Sequence, residues 1–366
     1  MTQFTVTVQP SGRQFSVRPD ETILGAALAA GLTLPHGCRN GVCGSCRGKV
    51  LSGTLVHAEH GEGALSAEDE ASGHALFCSA YPRSDLVIES RIAQGLDGVV
   101  PRKMPARIEH IERAAPDVAI LSLRLPANES LLYRPGQYVD FILPGGLRRS
   151  YSIASLAREG DPLEFHIRHL PGGAFTDALF GLAAAPNVKE RAILRIEGPL
   201  GTFYLREEDD APIVFLASGT GFAPIKAVLE SLFAKGLHRG GGAGGRPARE
   251  IVLYWGCRAR ADLYLDELPR RWEREEPNFR YVPVLSEPRP EDAWQGRTGF
   301  VHRALMEDLP DLSRHHVYAC GVPVMVQSAH HDLIAHCGLG EENFFSDAFI
   351  TAADLARAHP GVAESP

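Results

Sequence analysis

HGCRNGVCGSCRGKV, His36 to Val50, holds Cys38, Cys43 and Cys46, three of the chain's seven cysteines. A further thiol, Cys78, follows in ALFCSAYPRSDL. Three chemistries compete for these thiols. Disulfides need an oxidising compartment, and the first residues, MTQFTVTVQP, have neither the basic nor the apolar region of a secretory leader. Structural zinc usually draws on two close cysteine pairs, whereas here the later partner stands alone. The spacing C-x4-C-x2-C followed by one distant cysteine is the plant-type [2Fe–2S] pattern. Gly37, Gly41, Gly44 and Gly48 permit the tight, positive-φ turns that aim backbone N–H groups at sulfur. The spacing therefore selects a [2Fe–2S] cluster on Cys38, Cys43, Cys46 and Cys78, with zinc as the runner-up.

Composition bounds the rest. A chain of 366 residues predicts two to three domains, and 44% apolar residues suffice for packed cores. Thirty-seven basic against 45 acidic residues, a net charge of −8, argue against a general nucleic-acid binder. No apolar run approaches membrane-spanning length, so a cytoplasmic protein is expected. HRGGGAGGRPAR, His238 to Arg249, reads as a surface loop, and Thr351 to Pro366 as a small-residue tail.

In the first block, residues 1–93, FTVTV alternates as a half-buried strand does, and FSV completes a hairpin. ETILGAALAAGLTLP predicts a short helix stopped at Gly31. GKVLSG and DLVIES read as further strands of a small mixed β-grasp-like domain. The block resembles plant-type ferredoxins. That resemblance implies one iron on Cys38 and Cys43, the other on Cys46 and Cys78, and a potential near about −400 mV.

Short strands broken by Gly and Pro fill residues 102–207 and predict an antiparallel barrel. LEFHIRH sets Leu163, Phe165 and Ile167 on one face and Glu164, His166 and Arg168 on the other. In RRSYSIAS, Arg149 and Tyr151 share a face, a pairing suited to a phosphate and a flat ring. On those residues alone, a solvated arginine beside a core tyrosine serves as well. HLPGGAFTDALF adds Gly172 and Gly173 ahead of a helix-like pattern, an anion site to which Thr176 can lend a hydroxyl. R-x-Y-S followed by a Gly-Gly helix start resembles the flavin signature of the ferredoxin–NADP+ reductase superfamily. The resemblance implies FAD, with Arg149, Gly173 and Thr176 at the pyrophosphate, Tyr151 on the isoalloxazine and Ser152 near its N5.

Residues 210–350 turn α/β. Ile213 to Ala217 is a continuous apolar strand. The turn Gly219-Thr220-Gly221 follows it, then a helix begins near Pro224 and stops at Gly236. IVLYWGCR, RYVPVLS and HHVYACGVP extend a parallel sheet with helices on both faces. Proline occupies the place of the third fingerprint glycine, a departure that fits the reductase superfamily's G-T-G-x-A-P. By that resemblance Cys320-Gly321 faces the nicotinamide, and Arg258 and Asp262 lie near the adenosine. Tyr151, Ser152 and Cys320 then become the catalytic candidates at the reacting rings. An acidic Asp262 favours NADH over NADPH. In NFFSDAF, Phe345 and Phe349 are candidates for a second ring contact to the flavin, or equally for core packing. HHDLIAHC, with His330, His331 and His336, reads as a helix rather than a metal site; Cys257 and Cys337 read as small core residues.

The domain order resembles that of the reductase components of bacterial oxygenases, such as benzoate dioxygenase and phenol hydroxylase. ALFCSAYPRSDLVIE and FFSDAF resemble the CDP-6-deoxy-Δ3,4-glucoseen reductases of deoxysugar synthesis. The implied function is transfer of electrons from NADH through FAD and the cluster to a protein acceptor, an oxygenase or dehydratase component, with neither nucleic acid nor membrane as partner. A redox sensor with negligible turnover and a self-contained dehydrogenase are the alternatives from other classes.

Overall fold

The computed structural model describes residues 2–93, 96, 98–158, 160–182, 188–208, 210–240 and 247–358. The middle of the glycine-rich 238–249 stretch and the end of the tail lie outside them. The chain forms two compact units. One comprises the residues up to Arg102 with Pro199–Thr202 and the chain from Asp347; the other comprises Lys103–Gly198 and Phe203–Ser346.

The first unit opens with a hairpin of β1 (Phe4–Gln9) and β2 (Arg13–Val17), paired antiparallel. Val6, Val8, Phe15 and Val17 alternate inward, as the sequence predicts. Helix α1 (Ile23–Ala29) follows; the Thr22 hydroxyl accepts from Gly25 N–H at 3.1 Å, and Gly31 at φ 71° ends it. Then come β3 (Arg47–Ser52), β4 (Leu55–His57), α2 (Ala67–Ala71), β5 (His74–Leu76), β6 (Ala80–Pro82) and β7 (Leu86–Glu89). The sheet order is β2-β1-β7-β3-β5, with β1 and β7 parallel. Ile23, Leu24, Ala27 and Leu28 of α1 share a core with Val6, Phe77 and Ile88, so this is the mixed β-grasp arrangement.

The second unit carries two sheets. The first contains β8 (Arg102–Ala115), β9 (Val118–Arg124), β10 (Tyr138–Ile142), β11 (Arg148–Ser152), β12 (Leu163–Arg168) and, after helix α3 (Thr176–Leu179), β13 (Ile193–Leu200). Its order is β11-β10-β13-β8-β9-β12, and the β10–β11, β8–β9 and β9–β12 pairs run antiparallel. Phe141, Phe165 and Phe175 meet edge to face in its core, with centroids 5.1 and 5.3 Å apart. Helix α3, behind the two glycines, is a single turn, and its Thr176 hydroxyl donates to the Leu170 carbonyl at 2.9 Å. His166, on the face of β12 opposite Phe165, is buried too, with the Tyr264 ring against it.

The second sheet is built from β14 (Ile213–Ser218), β15 (Ile251–Cys257), β16 (Phe279–Leu285), β17 (Arg297–Thr298), β18 (His316–Gly321) and β19 (Phe344–Ala348). Helices α4 (Phe222–Ala234), α5 (Glu267–Glu275), α6 (Val301–Asp308) and α7 (Pro323–Cys337) connect them, and α8 (Ala352–Ala358) follows. The order is β17-β16-β15-β14-β18-β19, with β14 parallel to both β15 and β18. Helix α4 begins at Phe222, two residues before Pro224, since a 3-10 turn over Gly219–Gly221 leads straight into it. Among the described residues no helix is long and apolar enough to cross a membrane.

Gly48 in β3 has no room for a side chain: a Cβ there would lie 2.4 Å from the Phe77 ring and 2.9 Å from the Glu89 carbonyl oxygen. Gly48→Ala should destabilise the first unit by about 1–3 kcal/mol, the usual cost of overpacking. Hydrogen exchange of the β3 and β5 amides measures it: they should exchange faster while those of β14 and β15 do not change.

Candidate functional site

The loop between α1 and β3 carries Cys38, Cys43 and Cys46, and the turn between β5 and β6 carries Cys78. Arg39, Gly41 and Gly44 take φ of 59°, 73° and 76°, which curls the loop around its sulfurs. Cys38 N–H points at Cys43 Sγ and Asn40 N–H at Cys38 Sγ, each at 3.4 Å. The thiols fall into two hydrogen-bonded pairs, Cys38 with Cys43 and Cys46 with Cys78. Within each pair one thiol is lowered by its partner's hydrogen bond, Cys43 by Cys38 and Cys78 by Cys46, while Cys38 and Cys46 are raised. Two thiol pairs with amide donors at sulfur fit a [2Fe–2S] cluster, which takes two thiolates on each iron.

One residue of this loop escaped the sequence reading. His36 is buried, and burial lowers its pKa to about 4. The neutral ring donates from Nδ1 to the Leu34 carbonyl at 2.8 Å and accepts at Nε2 from Gly201 N–H at 2.9 Å. It thereby ties the cluster loop to Pro199–Thr202 within the first unit. No local signal marks this, because the partner lies 165 residues away.

In β11, Arg149 and Tyr151 share a face, as expected, while Ser152 is buried on the other. The Tyr151 ring leans on Phe141 at 4.8 Å and Phe175 at 5.6 Å, and burial raises its hydroxyl above the ordinary range. Arg148 pairs with Asp140 at 3.0 Å and also with Glu197. Arg149 has no carboxylate partner among the described residues; its only bond is to the Arg148 carbonyl at 2.9 Å. A cation left in this way suits a phosphate. Gly172, at φ 79°, faces open space, and its N–H donates to Asp177 Oδ2 at 3.1 Å. Gly173 must be glycine, since a Cβ would lie 2.4 Å from Thr176 Oγ1. This donor set, an unpaired guanidinium beside an aromatic face and a glycine turn, fits a flavin dinucleotide.

At the second sheet, the Gly219–Gly221 turn and Cys320–Gly321 come together. A Cβ on Gly221 would lie 2.1 Å from the Cys320 carbonyl oxygen. Gly321, at φ 140°, leaves 2.1 Å between such an atom and Ser218 Oγ, which itself accepts from Val322 N–H at 3.0 Å. The Trp255 indole donates to the Gly219 carbonyl at 2.9 Å and stacks on Phe222 at 4.1 Å. Thr220 and the Cys320 thiol are buried. Backbone packed this closely at strand carboxyl ends is where open α/β sheets receive a dinucleotide. Arg258 and Asp262 lie together, 3.7 Å apart, but Asp262 also faces Arg168 of β12 at 3.5 Å and caps Ala259 N–H at 3.2 Å. Phe345 stacks on Tyr318 at 4.8 Å under the Arg206 guanidinium, also 4.8 Å away. Phe349 is half-buried and belongs to the first unit.

Comparisons with known proteins find three domains along the chain. The 2Fe-2S iron-sulfur cluster binding domain matches residues 6–83, the oxidoreductase FAD-binding domain 105–204 and the oxidoreductase NAD-binding domain 215–331. The CDP-6-deoxy-L-threo-D-glycero-4-hexulose-3-dehydrase reductase of Yersinia pseudotuberculosis is 41% identical, over 94% of this chain and 98% of its own. The phenol hydroxylase P5 protein of Acinetobacter pittii is 33% identical, over 96% of each chain. The crystal structure of the Amycolatopsis cytochrome P450 reductase GcoB superposes with a TM-score of 0.76 at 35% identity, covering 95% of this chain and 99% of that one. The chain therefore belongs to the family of iron–sulfur flavoprotein reductases that join a plant-type 2Fe-2S domain, an FAD-binding domain and an NAD-binding domain in one polypeptide.

Proposed function

We propose that this protein draws electrons from NADH and hands them singly to a separate protein acceptor in the cytoplasm, an oxygenase or dehydratase component. The observation that carries the reading is the conjunction on one chain of three cofactor-binding domains with end-to-end similarity to named reductases. FAD, when bound, exchanges the paired electrons of a nicotinamide for the single electrons of an iron–sulfur cluster. Cys38, Cys43, Cys46 and Cys78 hold the cluster. Arg149, Gly172, Gly173 and Thr176 bind the FAD pyrophosphate, while Tyr151 and Ser152 flank its ring. The Gly219–Gly221 turn receives the dinucleotide, Cys320 and Gly321 line the nicotinamide, and Arg258 and Asp262 bind the adenosine ribose. Asp262 favours a free 2′-hydroxyl and hence NADH. Phe345 and Phe349 remain the candidates for the second ring contact.

The 41% identity to a hexulose-dehydrase reductase favours a sugar-nucleotide dehydrase as the acceptor. Reconstitution with such a partner separates this from an oxygenase: NADH consumption should rise when the true acceptor is added and not with the other.

Anaerobic NADH should bleach both the flavin and the cluster absorbance; negligible bleaching would favour a redox sensor. Cys43→Ser should abolish cytochrome c reduction while sparing reduction of small dyes by the flavin. Equal survival of both activities would remove the cluster from the path. Arg149→Ala removes a charge-assisted hydrogen bond worth about 1.5–3 kcal/mol, so FAD should bind roughly tenfold to a hundredfold more weakly. Fluorescence titration of the apoprotein with FAD measures this.

A further inference from the structure

Lys226 stands near the start of α4, the helix launched by the Gly219–Gly221 turn, and it is buried. A buried ammonium persists only when it is paired. Its Nζ meets Glu230 Oε1 of the same helix at 3.0 Å, Glu164 Oε1 of β12 at 3.1 Å and the Ala154 carbonyl oxygen at 3.1 Å. Ala154 lies two residues beyond Ser152 of β11. The connection continues. Burial alone would raise the Glu164 carboxyl, but the hydrogen bond from His166 and the Lys226 charge outweigh it and hold it at about 2. An ionised carboxylate only accepts, so His166 donates from Nε2 to Glu164 at 2.9 Å. His166 Nδ1 then accepts from the Tyr264 hydroxyl at 2.8 Å.

Five side chains thus run Tyr264–His166–Glu164–Lys226–Glu230 within the second unit. Its two ends stand on the nucleotide-binding half, at α4 and just past β15. Its centre stands on β12 of the flavin-binding half. Neither Lys226 nor Glu164 belongs to the residues assigned above to FAD or NADH.

We propose that Lys226 and Glu164 are positioning residues for hydride transfer. Their ion pair, with the Ala154 carbonyl, fixes the helix behind the dinucleotide turn against the strand that follows Arg149–Ser152. The inference rests on the reading that NADH reduces FAD in this chain. Such transfer needs reacting atoms about 3–3.5 Å apart, and a displacement of about 1 Å costs roughly a hundredfold in rate. A latch that touches neither ligand can therefore control the rate without controlling the affinity.

Anaerobic stopped-flow mixing of the FAD-loaded full chain with NADH tests this in the wild type, Lys226→Met, Lys226→Arg and Glu164→Gln. For Lys226→Met the limiting rate of flavin reduction should fall roughly a hundredfold, while NADH affinity stays within about twofold. The long-wavelength charge-transfer absorbance between flavin and nicotinamide should weaken in parallel, and Lys226→Arg should recover part of both. Glu164→Gln keeps the shape and the hydrogen bond from His166, so it decides the matter should Lys226→Met fail to retain FAD. It should slow reduction about tenfold. Wild-type rates and band intensity in Glu164→Gln, or a loss confined to NADH affinity, would overturn the proposal. A wild-type flavin that NADH does not bleach would overturn the function itself, and this inference with it.

Discussion

The meeting of the Gly219–Gly221 turn with the end of β18 constrains everything around it. Two backbones pass so closely that a methyl group on Gly221 would lie 2.1 Å from the Cys320 carbonyl oxygen, and one on Gly321 the same distance from Ser218 Oγ. This is possible because β14 and β18 run parallel as neighbours, with Ala217 opposite Cys320. Both chains therefore leave the sheet at the same edge, where open α/β sheets place their ligands. Helix α4 starts directly from that contact. Its direction, and hence the place where Lys226 enters the neighbouring strands, follows from two glycines.

The first unit solves a related problem with other means. There the backbone bends around sulfur rather than packing against another strand, and left-handed residues at 39, 41 and 44 turn amides toward the thiols. Neutral groups do the fastening: the imidazole of His36 is kept uncharged by burial, and it both donates and accepts. An imidazolium in that position would set its own Nε2 donor against Gly201 N–H. In the flavin-binding sheet the fastening is charged instead: Asp177 accepts from Gly172 N–H, while Arg149 has no carboxylate partner among the described residues.

What the sequence disclosed was whatever chemistry is local. The four-cysteine spacing, R-x-Y-S and the strand–glycine turn–helix of residues 213–234 each lie within a short stretch. Each is held by backbone rules that act over a few residues. The hidden features depend on partners far along the chain. Alternation in LEFHIRH put Glu164 and His166 on the face opposite Phe165, and no pattern in that stretch announces that Tyr264 and Lys226 cover them. Asp262 reads as a ribose ligand from its position, but Arg168 meets its carboxylate from another sheet. Phe345 could equally have been a ring for the flavin or a core residue. It packs between Tyr318 and Arg206, and neither neighbour is near it in sequence.

The placement of tryptophan has a practical corollary. The chain has three, Trp255, Trp272 and Trp294, all between β15 and β17. Two of them flank Phe222, with ring centroids 4.1 and 6.2 Å away, and Trp255 also bonds the Gly219 carbonyl. Indole emission from this protein is therefore a private channel to the nucleotide-binding half. It will register events at the dinucleotide turn and stay silent when the ferredoxin-like half melts, whose loss has to be followed through the visible colour of its iron and sulfide.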